Sequence, residues 1–170
     1  MVTVHDLSFL HLPDLFPPAK RLYLSALCRA SVRKAAAVIA VSRQTADDVV
    51  RCFGAAPAKV AVAHNGVDAR FTPGTAEESA AFRVAKGLPD RYLLFLGTLE
   101  PRKNLETLLH AYARWRAQAA PADQDIRLVI AGGKGWLYDA IFAQTAALGL
   151  QEFVTFPGYV PDEELPDWYR

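Results

Sequence analysis

Apolar runs of strand length alternate with segments of helical composition along this chain. Val2–Val4 is a short β-branched run closed by His5-Asp6. Pro13, Pro17 and Pro18 punctuate a loop, and the good helix formers from Ala19 to Ala35 predict a helix. The run AAAVIAVS predicts a buried strand closed by Ser42. Ser42 is placed to cap a helix running through Arg51, with Asp47 and Asp48 near its positive end. Gly54 and Pro57 stop that helix, Lys59–Ala63 is a further short strand, and His64–Asp68 is a turn.

Pro73-Gly74 marks a boundary, after which Ala76–Lys86 reads as a polar helix. The alternation then restarts. Tyr92–Leu96 is continuously apolar, which predicts a strand buried on both faces of a parallel sheet. Leu105, Leu108, Leu109 and Tyr112 stand at helical spacing within a helix from Leu105 to Gln118. Strand Arg127–Ala131, helix Tyr138–Ala147, strand Phe153–Phe156 and an incipient helix from Asp162 complete the order. Such alternation is the signature of an α/β chain with open parallel sheets. The reading divides it into residues 1–73 and 74–170, two half-sheets that each look cut short.

Composition changes this picture in three ways. The chain has 170 residues, enough for one ordinary domain of about 100–150 residues rather than two complete ones. Nineteen Lys and Arg against 18 Asp and Glu give a net charge of +1, which argues against a nucleic-acid partner. The pair Cys28 and Cys52 has neither CxxC nor zinc-finger spacing, so buried free thiols are expected rather than a disulfide or a metal site. The first residues lack a basic segment followed by an apolar one. The longest strongly apolar stretch, Ala35–Val41, is far shorter than the ~20 residues of a spanning helix. A soluble cytoplasmic protein is therefore expected.

The strongest local feature is LLFLGTLEPRKNLETLL, from Leu93 to Leu109. In open α/β sheets, ligands bind beyond the carboxyl ends of strands, where loops meet helix N-termini. Gly97 directly follows a strand there, and Arg102 and Lys103 precede a helix that Asn104 is placed to cap. A diphosphate at that point would meet two cations and the positive end of a helix, although on local pattern alone solvated surface charges are the commoner explanation. AGGKGW, Ala131 to Trp136, and the loop Pro157–Asp162 fall on the same sheet edge, so three successive loops outline a nucleotide cleft. His5 follows the first strand and reaches a carboxyl edge as well, while Ser42 reads as a cap and His64 as a turn residue. Lys20, Arg21, Arg29, Arg33 and Lys34 spread around their helix, which leaves a membrane-surface helix open but gives it no support.

The blocks VTVHDLSFLHLPDLFP, AAAVIAVSRQTADDVV, KVAVAHNGVDARFTP, FLGTLEPRKNLETLLHAY, LVIAGGKGW and FVTFPGYVPDEELPDWY resemble, in order, consecutive blocks of the GT4-type retaining glycosyltransferases of GT-B fold. GTLEPRKN and the linker NGVD-x-x-F-x-P are the specific parts. The resemblance implies two Rossmann-like domains facing a cleft, both incomplete here: an acceptor-side domain to residue 73 and a nucleotide-sugar domain from residue 74. It carries Arg102 and Lys103 onto the basic pair that neutralises the donor diphosphate. Gly97 falls on the glycine after the first strand of the donor domain, and Tyr159, Val160 and Asp162 on the loop that contacts the base. His5 falls on a histidine near the donor sugar. Thr98 stands where many relatives have Arg, which removes one phosphate contact.

What this implies is transfer of a hexose, mannose by preference, from a nucleotide-sugar with retention. GDP-mannose is the favoured donor, the acceptor is a glycan or a lipid-linked glycan, and no metal or other cofactor is involved. The setting is the cytoplasmic face of a membrane with peripheral association. The glycine-rich loop of the first domain and the acidic E-x7-E motif of the second are not among these residues, so the chain reads as the middle of such an enzyme and as inactive alone. The competing reading is a non-catalytic module or subunit that binds a nucleoside diphosphate.

Overall fold

A computed structural model describes residues 1–133, 135 and 139–170 of the chain. They divide into two compact units, Met1–Val67 and Asp68–Arg170. The sequence places the division at Pro73-Gly74 instead. The difference arises because the intervening residues bind the second unit: Phe71 packs edge-on against Tyr169, and the Arg170 guanidinium donates to the Thr72 carbonyl at 3.0 Å.

In the first unit, β1 (Val2–Val4), β2 (Val38–Ala40) and β3 (Val60–Val62) form a parallel sheet in that order, with Val2, Val38 and Val60 in register. The short helix α1 (Ser8–His11) follows β1. Helix α2 (Pro18–Lys34) connects β1 to β2, and α3 (Arg43–Phe53) connects β2 to β3. Pro18 at the head of α2 costs nothing, because its missing N–H would have no partner there. At the other end, the Lys59 ammonium donates to the carbonyls of Val32 and Arg33 at 2.7 and 3.1 Å, placing a cation at the negative end of the helix. Ser42 caps α3 as expected, its hydroxyl accepting from the Thr45 N–H at 3.1 Å, and Gly54 closes it in a left-handed conformation. Val4, Leu7, Phe9, Val32, Val38 and Val49 make the core. α1 has no counterpart in the sequence reading. Its four residues are too few to show a helical period.

In the second unit, α4 (Ala76–Lys86) opens with a capping box, Thr75 and Glu78 each bonding the other's backbone N–H. The parallel sheet β4 (Tyr92–Leu96), β5 (Arg127–Ala131), β6 (Val154–Gly158) follows, with α5 (Leu105–Gln118), α6 (Asp139–Ala147) and the short α7 (Leu165–Tyr169). Tyr138, assigned to a helix by its sequence, lies outside the described residues. Period-2 alternation along β5 sends Leu128 and Ile130 into a core with Leu105, Leu109, Tyr112 and Ile141. Val129 and Ala131 join Leu88, Val160 and Trp168 on the opposite face.

Two expectations about burial are corrected. Tyr92–Leu96 is not buried on both faces: among the described residues β4 pairs only with β5, and Leu93 is 47% exposed. The strand covered on both faces is the central one, β5. Cys28 and Cys52 are free, but half-buried rather than buried, and partial burial pushes the Cys28 thiol up from its ordinary value.

Candidate functional site

The carboxyl edge of the second sheet is built by backbone pairing that runs past the strands. The Gly97 N–H donates to the Ala131 carbonyl at 2.9 Å, and the Gly132 N–H to the Gly158 carbonyl at 2.7 Å. Beyond these, the Leu99 N–H donates to Gly133 at 2.9 Å and the Gly135 N–H returns to Leu99 at 3.1 Å. The loops after β4, β5 and β6 therefore lie side by side, as the sequence reading expects. Lys134 and Trp136, within the glycine-rich motif, lie outside the described residues.

Arg102 and Lys103 sit in a 3-10 turn, Pro101–Lys103, that leads into α5. Buried Leu105 seats the head of the helix in the core and so fixes where the turn emerges. The two cations differ in their partners. Arg102 Nη2 lies 2.7 Å from Oε1 of the buried Glu100, whose charge it neutralises. Lys103 is exposed, and its ammonium has no hydrogen-bonding or ion-pair partner among the described residues. Its Cε passes 3.9 Å from where a Cβ on Gly97 would stand, so the ammonium-bearing chain runs along the loop that follows β4. Asn104 is not the side-chain cap that was expected. It has a left-handed backbone (φ 53°), whereas a capping side chain needs an extended one, and no side-chain hydrogen bond closes the helix N-terminus. A neighbouring cleft of about 300 Å³ is lined by Glu100, Glu106, Leu105, Ile141 and Gln144, and Glu106 gives it a carboxylate not neutralised by Arg102.

The third loop brings together residues of three different kinds. The Tyr159 side chain is exposed, and its Cδ2 lies 3.9 Å from where a Cβ on Gly133 would stand. Val160 is 7% exposed, its side chain packed into the core with Trp168 and Leu88 and so not offered to a ligand. The Asp162 carboxylate is 2.8 Å from Arg70 Nη2, and its carbonyl accepts from Arg70 Nη1 at 3.0 Å.

His5, in the first unit, is an exposed residue directly after β1, and its carbonyl accepts from the Thr45 hydroxyl at 3.4 Å. Asp6 accepts from the N–H and hydroxyl of Ser8 at 2.8 and 2.6 Å, which holds the start of α1. The first unit also holds a polar cluster that has no signature in the sequence. Asp48 is buried and accepts from His11 Nε2 at 2.8 Å, from Gln44 at 3.2 Å and from Arg51. Burial alone would push the Asp48 carboxyl up, but these hydrogen bonds outweigh it and hold the group below its ordinary value. Asp48 thus serves this cluster rather than the positive end of α3, whose first turn contains no acidic residue. His11 and Asp48 are 37 positions apart, and no local pattern links them.

The sequence and fold have recognisable relatives. Residues 77–170 match the family described as glycosyl transferases group 1, and residues 1–71 match glycosyltransferase family 4. O-antigen chain mannosyltransferase B of Escherichia coli is 28% identical over 99% of this chain and 44% of its own length. D-inositol 3-phosphate glycosyltransferase 1 of Catenulispora acidiphila is 36% identical over 91% of this chain and 37% of its own. Among solved structures, Anabaena Alr3699/HepE in complex with UDP and glucose superposes with a TM-score of 0.71 at 22% identity, over 98% of this chain and 43% of that one. WaaG, a glycosyltransferase involved in lipopolysaccharide biosynthesis, gives 0.60 at 14% identity, over 77% of this chain and 35% of that one. The chain thus spans less than half the length of each of these relatives. The parallel α/β architecture is that of GT-B glycosyltransferases, and with the family match extending from α4 to the last residue, this chain belongs to the group 1 glycosyl transferases.

Proposed function

We propose that this chain contributes the diphosphate-binding part of a retaining glycosyltransferase that moves mannose from GDP-mannose to a glycan or lipid-linked acceptor. The observation that carries this reading is the Lys103 side chain, whose ammonium has no partner among the described residues and whose Cε passes Gly97, at the edge where the loops after β4, β5 and β6 meet. Departure of a nucleoside diphosphate develops negative charge on its phosphates. Cations already placed near the phosphates stabilise that charge. Arg102, held by Glu100, supplies one in a set position, and Lys103, whose ammonium has no partner among the described residues, supplies a second that turns to the phosphates when they bind. The mechanism proposed therefore calls on these side chains rather than a metal for positive charge. The loop of Tyr159 and Val160 is proposed to contact the base, with the exposed Tyr159 ring as its surface, and His5 is proposed to meet the donor sugar. Mannose is favoured because the mannosyltransferase relative aligns with 99% of the chain. Peripheral attachment to the inner membrane face is proposed on the ground that a lipid-linked acceptor resides there.

Titration calorimetry of the 170-residue chain with GDP and UDP tests the reading. The expected result is binding of both, GDP more tightly, with Lys103→Ala weakening each at least about tenfold, or about 1.4 kcal/mol. Binding unaffected by Lys103→Ala removes the assigned site, and a preference for UDP removes GDP-mannose as donor. Incubation of the chain with GDP-mannose and lipid-linked glycan separates transfer from binding alone.

A further inference from the structure

We infer that Arg70 is a positioning residue for the base loop, tying the segment that enters the second unit to the backbone at Asp162. The inference rests on the reading of that loop as the base site. Arg70 holds Asp162 at both ends, the carboxylate at 2.8 Å and the main-chain carbonyl at 3.0 Å, across 92 positions of sequence. Its guanidinium also stacks on Phe71, 5.2 Å from the ring centroid, and Phe71 in turn meets Tyr169. The strap is therefore part of a packed patch rather than a loose surface contact.

Exposure shows what the contact does. The Arg70 side chain is 37% exposed and that of Asp162 71%, and ion pairs this open to water add only about 0–1 kcal/mol to stability. A planar guanidinium that grips a carboxylate and a carbonyl of one residue fixes geometry instead. The grip lies three positions after Tyr159, while Val160 anchors the same loop in the core from within. Pinned at these two points, the loop keeps the exposed Tyr159 ring beside Gly133. It also follows that the Asp162 carboxylate serves the strap rather than the base.

The test compares two probes that share the diphosphate but not the base. Arg70→Met is expected to weaken GDP about tenfold and to leave inorganic pyrophosphate unchanged, with Arg70→Lys recovering part of the loss. Lys103→Ala, the control, weakens both probes. Hydrogen exchange at the amides of Tyr159, Val160 and Asp162 is expected to quicken in Arg70→Met without change along β5. A purely structural role would instead lower the melting temperature and weaken both probes together, and that result overturns the inference. Wild-type GDP affinity and unchanged exchange in Arg70→Met also overturn it while the diphosphate site stands. If the wild-type chain binds GDP and UDP not at all, the underlying reading falls first and the positioning role with it.

Discussion

Gly132 lies so close to Gly97 that a Cβ added to it would stand 2.0 Å from the Gly97 carbonyl oxygen and 2.6 Å from its carbonyl carbon. The obstacle is backbone, which cannot rotate aside, and Gly132 also has a φ of 145°, a conformation other residues rarely adopt. Gly133, one position on, has among the described residues only Tyr159 within reach, at 3.9 Å. Gly132→Ala is therefore expected to cost more than about 1–3 kcal/mol, strain and clash combined, and to disturb the loops around Lys103. Gly133→Ala is expected to melt like wild type. Equal melting temperatures for the two variants would show that the loops after β4 and β5 are not held this tightly.

The Ser42 cap supports a smaller prediction. Its hydroxyl accepts one of the N–H groups at the head of α3 that has no partner within the helix. Ser42→Ala should destabilise the first unit by about 1 kcal/mol, and Ser42→Asp should retain most of the stability. Denaturant midpoints measured on the three chains decide it; an unchanged midpoint in Ser42→Ala means the cap contributes nothing.

Asp48 makes stability depend on acidity. Its folded carboxyl lies below the ordinary value of 3.8 that the unfolded chain restores. A depressed folded value contributes stability that is fully present above the unfolded pKa and is lost as the pH falls through the folded one. The melting-temperature advantage of wild type over Asp48→Asn should thus be full near neutral pH and shrink below about pH 4. A gap that stays constant into strong acid would mean that the carboxylate charge is not what His11, Gln44 and Arg51 recognise.

Core packing predicts a larger effect in the second unit. Leu109 is fully buried on α5 against β5, in the cluster that contains Leu128 and Ile130. Leu109→Ala leaves a cavity there and should cost about 2–5 kcal/mol. The exposed Leu93 of β4 should tolerate alanine at a fraction of that cost. Thermal unfolding of both variants checks the contrast, and comparable losses would contradict the assignment of β4 as the exposed strand.

The sequence alone determined the order of the strands and longer helices, because each rests on signals within a few positions. Apolar runs mark the strands, Ser42 marks a helix start, and Gly54 marks a helix end. It also placed Gly97, Gly132 and Gly158 on one edge, since successive parallel strands put their carboxyl ends on the same side. What it could not supply was the partner of each polar group. Arg102 and Lys103 are adjacent and alike in sequence, yet one is neutralised by Glu100 and the side chain of the other has no partner among the described residues. Asp48 meets His11 across 37 positions and Asp162 meets Arg70 across 92. The apolar run of β4 looks as buried as that of β5 until the sheet order shows which strand is central. Backbone period and capping are local and so are written in consecutive residues. Exposure and charge pairing depend on which distant segments are brought together, and only the tertiary structure decides that.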